Sequence, residues 1–286
     1  MIHLRVLLLI LTGSTTMWVQ ADDSYMDVDQ RLNAFAEELG QRLEADAPVS
    51  SSQVAAQLQP NKTKAIAHTK PSTETLTGAA LYQARSPSVV MLGKIYKCDR
   101  CDHWHSNVAS GFIIHADGII VTNYHVVEHD DDDDAIAVMT HDGTLYEVEE
   151  VLACNRANDL AVLKINAKNL IPAPIASEIG IGAPVSVISH PARHLYTYTE
   201  GIVSGKTRQR HKKNLRRELT ITADFAKGSS GAPVFDQTGA VVGIVRATET
   251  VFYDEHRGMD TNPQMVWKFA IPSECLLELI ETQTKE

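Results

Sequence analysis

The 286-residue sequence lacks a basic excess, a long apolar run beyond its N-terminus, and any internal repeat. Its formal net charge is −10, which argues against a nucleic-acid partner, because general nucleic-acid binders are usually basic overall. No segment after residue 21 is long and apolar enough to cross a bilayer, so we expect no stable membrane insertion of the mature chain. The remaining composition, 44% hydrophobic and 22% charged residues, is typical of a globular protein with a full core.

The first 21 residues have the pattern of a secretory signal peptide. A weakly basic start precedes an apolar run over residues 6–11, and Val19 and Ala21 place small side chains where a signal peptidase cleaves. The alternative is an uncleaved membrane anchor, but the run is shorter than the roughly 20 residues that span a bilayer. We therefore predict cleavage after Ala21 and a secreted or periplasmic protein, in a compartment that permits disulfides.

Residues 22–75 are predicted to form a helical leader followed by a linker. Apolar residues recur at helical spacing from Val28 to Leu43 and indicate one amphipathic helix. Residues 47–70 are rich in Ser, Gln, Thr and Lys, and contain two prolines, which is typical of a mobile linker. A pro-segment or an oligomerisation arm is the alternative role. We favour a flexible leader, because an isolated short helix is marginal in water.

From about residue 76 the pattern changes to short strands separated by turns. Asp117-Gly118, Asp142-Gly143 and Thr238-Gly239 are hairpin signals between runs rich in Val, Ile and Thr. The runs cover residues 88–92, 111–114, 119–122, 136–139, 160–165, 185–188, 201–204, 219–222, 241–245 and 266–270. Only residues 273–282 look helical again, with Ser273 placed to cap that helix. Many short strands and one terminal helix predict an all-β sandwich or barrel.

Three local motifs carry the residue types of nucleophilic catalysis. They are Thr122-Asn123-Tyr124-His125 at a strand end, Asn158-Asp159 at the head of an apolar strand, and the turn Gly228-Ser229-Ser230-Gly231. A serine hydroxyl is a poor nucleophile at neutral pH and needs an adjacent base. Imidazole suits that role because it titrates near the working pH, and a carboxylate can hold the ring in the useful tautomer.

In this order the motifs resemble those of the trypsin-like serine peptidases, and most closely the HtrA/Deg branch. Other stretches read like that branch, namely residues 110–113, 201–204 and 269–273. The resemblance runs from about residue 76 to 282. It implies an all-β, chymotrypsin-like double β-barrel with a C-terminal helix, in a peptidase domain over 76–286. Barrel one would cover about 86–168 and barrel two about 176–271.

The resemblance also implies how the site works. His125, Asp159 and Ser230 would form the catalytic triad, and the backbone N–H groups of Gly228 and Ser230 the oxyanion hole. The expected function is a secreted serine endopeptidase that hydrolyses peptide bonds through an acyl-enzyme, acts on protein or peptide substrates and needs no cofactor. The alternative is a catalytically silent trypsin-like binding or chaperone-like protein.

HtrA proteins usually carry a PDZ domain after the peptidase, whereas this sequence stops just after its terminal helix. PDZ-driven substrate capture is therefore not expected, and the oligomeric state stays open.

Four residues are candidates for substrate binding. Asp224 lies six residues before Ser230, the spacing at which trypsin carries the acidic residue of its specificity pocket, but a structural carboxylate supporting the loop is the favoured interpretation. Arg246, Ala247 and Thr248 follow an apolar strand where the family offers an edge to the substrate backbone, so β-augmentation is expected there. Arg246 would either favour an acidic substrate side chain or lie on the solvent side.

The cysteines allow several interpretations. Cys98 and Cys101 form a Cys-x-x-Cys pair followed by His103 and His105, which invites a zinc site, yet all four ligands fall within eight residues. A local disulfide between Cys98 and Cys101 is favoured, and we predict no metal. Cys154 and Cys275 are predicted either to pair across the domain or to remain as two buried thiols.

Two charged runs complete the sequence. Asp130 to Asp134 are predicted to be a solvated loop, and an EF-hand starting at Asp130 is excluded because Ala135 stands where its glycine is needed. The basic stretch from Arg208 to Arg217 is predicted to be a solvated hairpin, with binding of acidic substrates or cell-envelope polyanions as the alternative.

Overall fold

The structure of the protein is a computed structural model that describes residues 25–45, 50–128, 135–211, 214–256 and 259–281. The predicted signal peptide, the aspartate run, and Lys212 and Lys213 of the basic stretch lie outside these residues. Five α-helices are described: α1 (Val28–Glu44), α2 (Ser51–Ala55), α3 (Gly78–Arg85), α4 (Tyr124–Val127) and α5 (Ser273–Ile280). No helix in these ranges is long and apolar enough to span a membrane.

The first half of the fold is an antiparallel sheet that closes on itself. Its strands are β1 (Asn61–Lys62), β2 (Val89–Lys97), β3 (Trp104–His115), β4 (Ile119–Thr122), β5 (Ala135–Met139), β6 (Leu145–Asn155) and β7 (Leu160–Ile165). They lie in the order β1-β6-β5-β2-β3-β4-β7, and a further pairing of β6 with β7 joins the ends of the six longer strands. This ring is barrel one, filled by apolar side chains such as those of Val90, Leu92 and Leu163.

The second half is a closed six-stranded barrel. Its strands are β8 (Pro184–Ser189), β9 (Thr197–His211), β10 (Asn214–Ile221), β11 (Pro233–Phe235), β12 (Val241–His256) and β13 (Met259–Pro272). They close in the order β10-β13-β12-β11-β8-β9. The predicted all-β, chymotrypsin-like double barrel with a C-terminal helix is therefore confirmed. The predicted cap at Ser273 is wrong, because Pro272 is the N-cap and the Ser273 hydroxyl donates to the Ala176 carbonyl at 2.6 Å.

The predicted helical leader is present as α1, and it packs on barrel one. Asp27 caps the helix by accepting a hydrogen bond from the Gln30 N–H at 2.9 Å. The apolar face is buried through Leu32, Phe35 and Leu39. The Phe35 ring lies so close to Gly93 of β2 that a Cβ at Gly93 would collide with it. The helix is therefore part of the folded domain, since its apolar stripe has a partner surface.

The segment after α1 also differs from the expectation. Contrary to the predicted mobile linker, residues 50–70 lie packed along the barrels. Val54 is completely buried, β1 pairs with β6, and the Ile66 N–H donates to the Ile280 carbonyl at 2.8 Å. The polar composition of this segment did not predict its packing, because the segment is anchored by two apolar side chains, those of Val54 and Ile66, and by a few backbone hydrogen bonds.

Candidate active site

The barrels meet at a cleft in which a histidine is paired with a carboxylate. His125 lies in the short helix α4, directly after β4, and Asp159 lies immediately before β7. The His125 Nδ1 is 2.9 Å from Oδ2 and 3.1 Å from Oδ1 of Asp159. The His125 backbone N–H also donates to Oδ1 at 3.0 Å. The carboxylate therefore fixes the ring through Nδ1 and leaves Nε2 available for another partner.

Asp159 is held by its backbone as well as by its side chain. Its φ angle is +58°, in the left-handed region that aspartate and asparagine tolerate better than other non-glycine residues. Its carbonyl accepts hydrogen bonds from the Tyr124 N–H and from the Asn123 side-chain amide, each at 3.1 Å. Only 14% of its side chain is exposed to solvent. The histidine-bearing segment and the carboxylate are thus fixed to each other at several points.

Ser230 lies in the predicted glycine turn between β10 and β11. Gly228 has a φ angle of +99° and Gly231 one of +86°, both strained for residues with a side chain. A Cβ at Gly228 would collide with the His190 carbonyl, and one at Gly231 with the Ser110 carbonyl. Both glycines are therefore required by conformation and by space.

Two carbonyl groups fix the peptide planes of this turn. The Lys227 carbonyl accepts from the Ala192 N–H at 2.6 Å, and the Ser229 carbonyl accepts from the Ala232 N–H at 3.0 Å. In a trans peptide the C=O and N–H point in opposite directions. The N–H groups of Gly228 and Ser230 therefore point away from those partners. Among the residues described, neither N–H donates a hydrogen bond to the protein.

His125, Gly228 and Ser230 line one cleft of about 300 Å³. Its other walls come mainly from β2 and β3, through Leu92, Gly93, Lys94, Asn107, Val108 and Ala109. In the part of the chain that the structure describes, no hydrogen bond joins the Ser230 hydroxyl to His125. Such contacts are often long without substrate and tighten when it binds.

Ser110 of β3 joins barrel one to the serine turn, a role that the sequence alone did not reveal. Its hydroxyl donates to the Gly228 carbonyl at 2.9 Å and accepts from the His190 N–H at 3.2 Å. Its backbone N–H donates to the Ser230 carbonyl at 2.9 Å. The signal that could have found it is the family-like stretch over residues 110–113, in which Ser110 comes first.

For the predicted reaction in which Ser230 is the nucleophile, we expect Ser110→Ala to lower kcat by about 10- to 100-fold with little change in KM, because small displacements of a reacting group are costly. The matched control is Ser88→Ala, another fully buried serine, whose hydroxyl donates to the Arg85 carbonyl at 2.7 Å. Steady-state kinetics and melting temperatures test this. Equal losses of kcat in Ser110→Ala and Ser88→Ala would show that Ser110 has only a structural role.

Residues 109–244 match the family model described as a trypsin-like peptidase domain. This part of the chain is a trypsin-like peptidase domain.

Relatives of the peptidase domain support the same family. A "Probable periplasmic serine endoprotease DegP-like" of Brucella suis biovar 1 (strain 1330) is 33% identical over 181 residues, covering 62% of this chain and 33% of that protein. "Protease Do-like 1, chloroplastic" of Arabidopsis thaliana is 32% identical over 190 residues, covering 61% of this chain and 42% of that protein. The chain thus spans about a third of the length of the Brucella relative.

Solved structures agree with these relatives. The structure titled "HtrA-type protease AlgW with tripeptide" superposes on the chain with a TM-score of 0.55 at 26% identity. The match covers 71% of this chain and 62% of that chain.

Two predicted substrate residues of the peptidase domain have partners of their own. The Arg246 guanidinium pairs with the Glu218 carboxylate and lies 5.7 Å from the centre of the Phe269 ring. Burial lowers the pKa of Arg246. The positive charge of Arg246 is therefore balanced by a carboxylate inside the fold. The sequence predicted instead that Arg246 would favour an acidic substrate side chain or lie on the solvent side. The Asp224 carboxylate is 80% exposed and pairs with the Lys268 ammonium at 2.8 Å, outside the residues that line the His125 cleft.

The strand edge beside these residues is open. Ala247 and Thr248 of β12 pair with Phe269 and Lys268 of β13 on one side. On the other side, β11 pairs only with residues 241–244 of β12, and no other described strand continues the sheet there. Arg246 to Glu249 also line a second cleft of about 280 Å³, together with Arg210 and Arg216 of the basic hairpin.

The basic stretch is not a freely solvated hairpin throughout. Residues 208–211 and 214–217 form paired ends of β9 and β10. Arg216 donates through Nε to the Ala157 carbonyl at 3.0 Å, two residues before Asp159. Arg217 forms ion pairs with Glu278 at 2.5 Å and Glu274 at 3.3 Å, both in α5. These arginines therefore tie the hairpin to barrel one and to the terminal helix.

In the structure all four cysteines are free thiols. The sulfur atoms of Cys98 and Cys101 are 3.5 Å apart, whereas a disulfide bond is about 2.05 Å long. Cys154 is buried, and its sulfur lies 3.2 Å from the Gln59 carbonyl. Burial also raises the pKa of the Cys275 thiol to about 11. These two cysteines fit the alternative of buried thiols.

His190 gives the peptidase domain a predicted pH dependence. Burial lowers the pKa of His190 to about 4, and its Nδ1 accepts from the Tyr196 N–H at 3.0 Å, which requires that nitrogen to be unprotonated. In the unfolded chain a histidine titrates near pH 6.5, so between about pH 6.5 and 4 the unfolded state binds more protons. Stability should therefore be full above pH 6.5 and fall by up to about 3 kcal/mol towards pH 4.

Denaturant unfolding at pH 7, 6 and 5 measures this slope. We expect His190→Gln to flatten it, while His141, whose pKa burial also lowers, retains part of it. The exposed His194 provides the control, since His194→Gln should keep the wild-type slope. An unchanged slope in His190→Gln would refute the assignment.

Proposed function

We propose that the protein is a serine endopeptidase whose catalytic triad is His125, Asp159 and Ser230. The observation that carries this proposal is the paired His125–Asp159 arrangement, at 2.9 Å, on a cleft that Ser230 also lines. The family of residues 109–244 and the serine endoproteases among the relatives support it.

In the proposed mechanism, His125 removes the proton from the Ser230 hydroxyl as the oxygen attacks the scissile carbonyl. Asp159 keeps the proton on Nδ1, so that Nε2 is the basic nitrogen, and it stabilises the imidazolium that forms. His125 then protonates the leaving amine, which departs from the acyl-enzyme. Water activated by the same histidine releases the second product and restores Ser230.

The N–H groups of Gly228 and Ser230 are the proposed oxyanion hole. Negative charge develops on the carbonyl oxygen during attack, and two preorganised donors stabilise it strongly. The orientation of both peptide planes by the carbonyls of Lys227 and Ser229 supports this role, since it leaves both N–H groups without a protein acceptor among the described residues. We therefore propose that the donors are positioned before substrate arrives.

The open edge of β12 is the proposed binding site for the substrate backbone. An extended peptide beside residues 246–249 would add a strand to barrel two, with its hydrogen bonds made to the main chain. The solved relative with a bound tripeptide is consistent with peptide ligands. Because Asp224 points to Lys268 and Arg246 to Glu218, we assign neither of them a selective contact with a charged substrate side chain.

Export is part of the proposal. The N-terminal pattern and the periplasmic description of the Brucella relative support cleavage after Ala21. N-terminal sequencing of the protein from an exporting host should then begin at Asp22, whereas a chain still beginning at Met1 would contradict processing.

Labelling with a fluorophosphonate probe tests the enzymatic function. The probe forms a covalent bond with an activated serine, so we expect modification of wild-type protein at Ser230 and none of Ser230→Ala. Ser177→Ala is the control, because Ser177 is exposed and lies outside the cleft. No labelling of folded wild type, in the presence or absence of peptide, would contradict the proposal and favour the silent binding protein.

A further inference from the structure

The tip of the β2–β3 hairpin brings together three atoms that are good ligands for soft metals. The Nε2 atom of His105 lies 3.2 Å from the Cys98 sulfur and 3.1 Å from the Cys101 sulfur, and the two sulfur atoms are 3.5 Å apart. We propose that Cys98, Cys101 and His105 bind a zinc ion. This site is separate from the cleft of His125 and Ser230.

The spacing fits a tetrahedral ion better than a disulfide. Zinc bonds of about 2.3 Å to sulfur and 2.0–2.1 Å to nitrogen place two sulfur ligands about 3.8 Å apart, and a sulfur and a nitrogen ligand about 3.6 Å apart. The observed separations of 3.1–3.5 Å are close to these values. A disulfide would shorten the sulfur–sulfur distance by about 1.5 Å, and it would not involve His105.

The hairpin holds the ligands in place. In the β2–β3 register Tyr96 pairs with His105, and their rings stack with centroids 5.4 Å apart, which fixes the direction of the imidazole. Three protein ligands leave the fourth tetrahedral position for water. His103 is not part of the cluster.

The site lies where the leader helix meets the hairpin. The indole of Trp104 sits against Gly40 of α1, and the Lys97 ammonium lies 4.4 Å from the Trp104 ring centre and 3.2 Å from a Glu44 carboxylate oxygen. The central residues of β2 and β3 form a wall of the proposed catalytic cleft. A bound ion would therefore stiffen the hairpin that connects the leader to that wall.

The experiment uses the full chain purified under reducing conditions without chelator. Elemental analysis should find one zinc per chain, and the apo protein should bind cobalt(II) with sulfur-to-cobalt charge-transfer absorption. Cys98→Ser, Cys101→Ser and His105→Gln should each lose both signals, and zinc should raise the melting temperature of wild type but not of these variants. Cys275→Ser and His103→Gln are the matched controls and should retain the metal.

Each contrary outcome overturns the assignment. A folded wild type that retains no more zinc than Cys98→Ser excludes the site. Equal metal loss in Cys275→Ser indicates non-specific thiol binding, and loss in His103→Gln with retention in His105→Gln reassigns the histidine. An intact mass showing a Cys98–Cys101 disulfide, with no metal in protein isolated from its export compartment, would replace the metal site by the bond that the sequence first suggested.

Discussion

Asp159→Asn is expected to lower kcat for peptide hydrolysis by about 10⁴-fold while the protein stays folded. The amide cannot stabilise the imidazolium. Its NH₂ group also donates to Nδ1, which favours the histidine tautomer that carries its proton on Nε2, so that Nε2 cannot act as the base. The fold should tolerate the change, because asparagine adopts the left-handed backbone at φ +58° as readily as aspartate does. Steady-state kinetics with a peptide substrate measure the effect.

Asp117→Asn is the control for that variant, since Asp117 is an exposed aspartate in the turn before β4. It should keep the wild-type kcat. A loss smaller than about tenfold in Asp159→Asn, with the thermal unfolding curve unchanged, would show that the 2.9 Å pairing with His125 is structural rather than catalytic.

Glu218→Ala is expected to lower the free energy of unfolding by about 3–5 kcal/mol. Only 5% of the Glu218 side chain and 16% of the Arg246 side chain are exposed, so removing the carboxylate leaves a guanidinium buried without its counter-ion. A hydrogen bond from Arg246 to Glu218 is lost at the same time. Urea denaturation followed by tryptophan fluorescence measures the change.

A double variant separates burial of the charge from loss of packing. Glu218→Leu combined with Arg246→Met should recover most of the stability, because it removes both charges and keeps apolar volume. The exposed Glu249 beside the same cleft gives the surface control, and Glu249→Ala should change stability by no more than about 0.5 kcal/mol. A Glu218→Ala effect as small as the Glu249→Ala effect would show that the pair is not an important buried interaction.

Much of the fold could be predicted from sequence because most strands are apolar runs bounded by turns. The runs at 119–122 and 160–165 coincide with β4 and β7. β6 was missed because its sequence carries three glutamates, at positions 147, 149 and 150, that interrupt the apolar pattern. β11 was missed because it is three residues long and follows the serine turn directly. Both segments form strands because each pairs with neighbouring strands in its barrel, although their sequences have little strand signal.

The candidate site was predictable where its signal is local. Gly228 and Gly231 indicate a turn that only glycine can form, and His125 follows a recognisable strand end. The contacts that orient the turn were not predictable, because Ser110 and Ala192 reach it from distant strands and loops. The pairing of Arg246 with Glu218 was hidden for the same reason, since the partners are 28 residues apart and meet across strands of barrel two.

Cysteine chemistry shows the limit of spacing arguments. Four candidate ligands within eight residues suggested a disulfide, because zinc sites usually take their second pair of ligands from further along the chain. The β2–β3 register instead brings His105 back over Cys98 and Cys101, which are three residues apart at the hairpin tip. Strand register, which spacing alone does not provide, decides which side chains meet.

The most direct test of the central claim is peptide hydrolysis by wild type and by Ser230→Ala, purified identically and shown to be folded. An unfolded protein substrate, followed by mass spectrometry of its fragments, reports cleavage without assuming a sequence preference. We predict cleavage at internal peptide bonds by wild type, and a rate lower by about 10⁶-fold for Ser230→Ala. Fragments produced at similar rates by both proteins, or by neither, would contradict the assignment of Ser230 as the nucleophile of an endopeptidase.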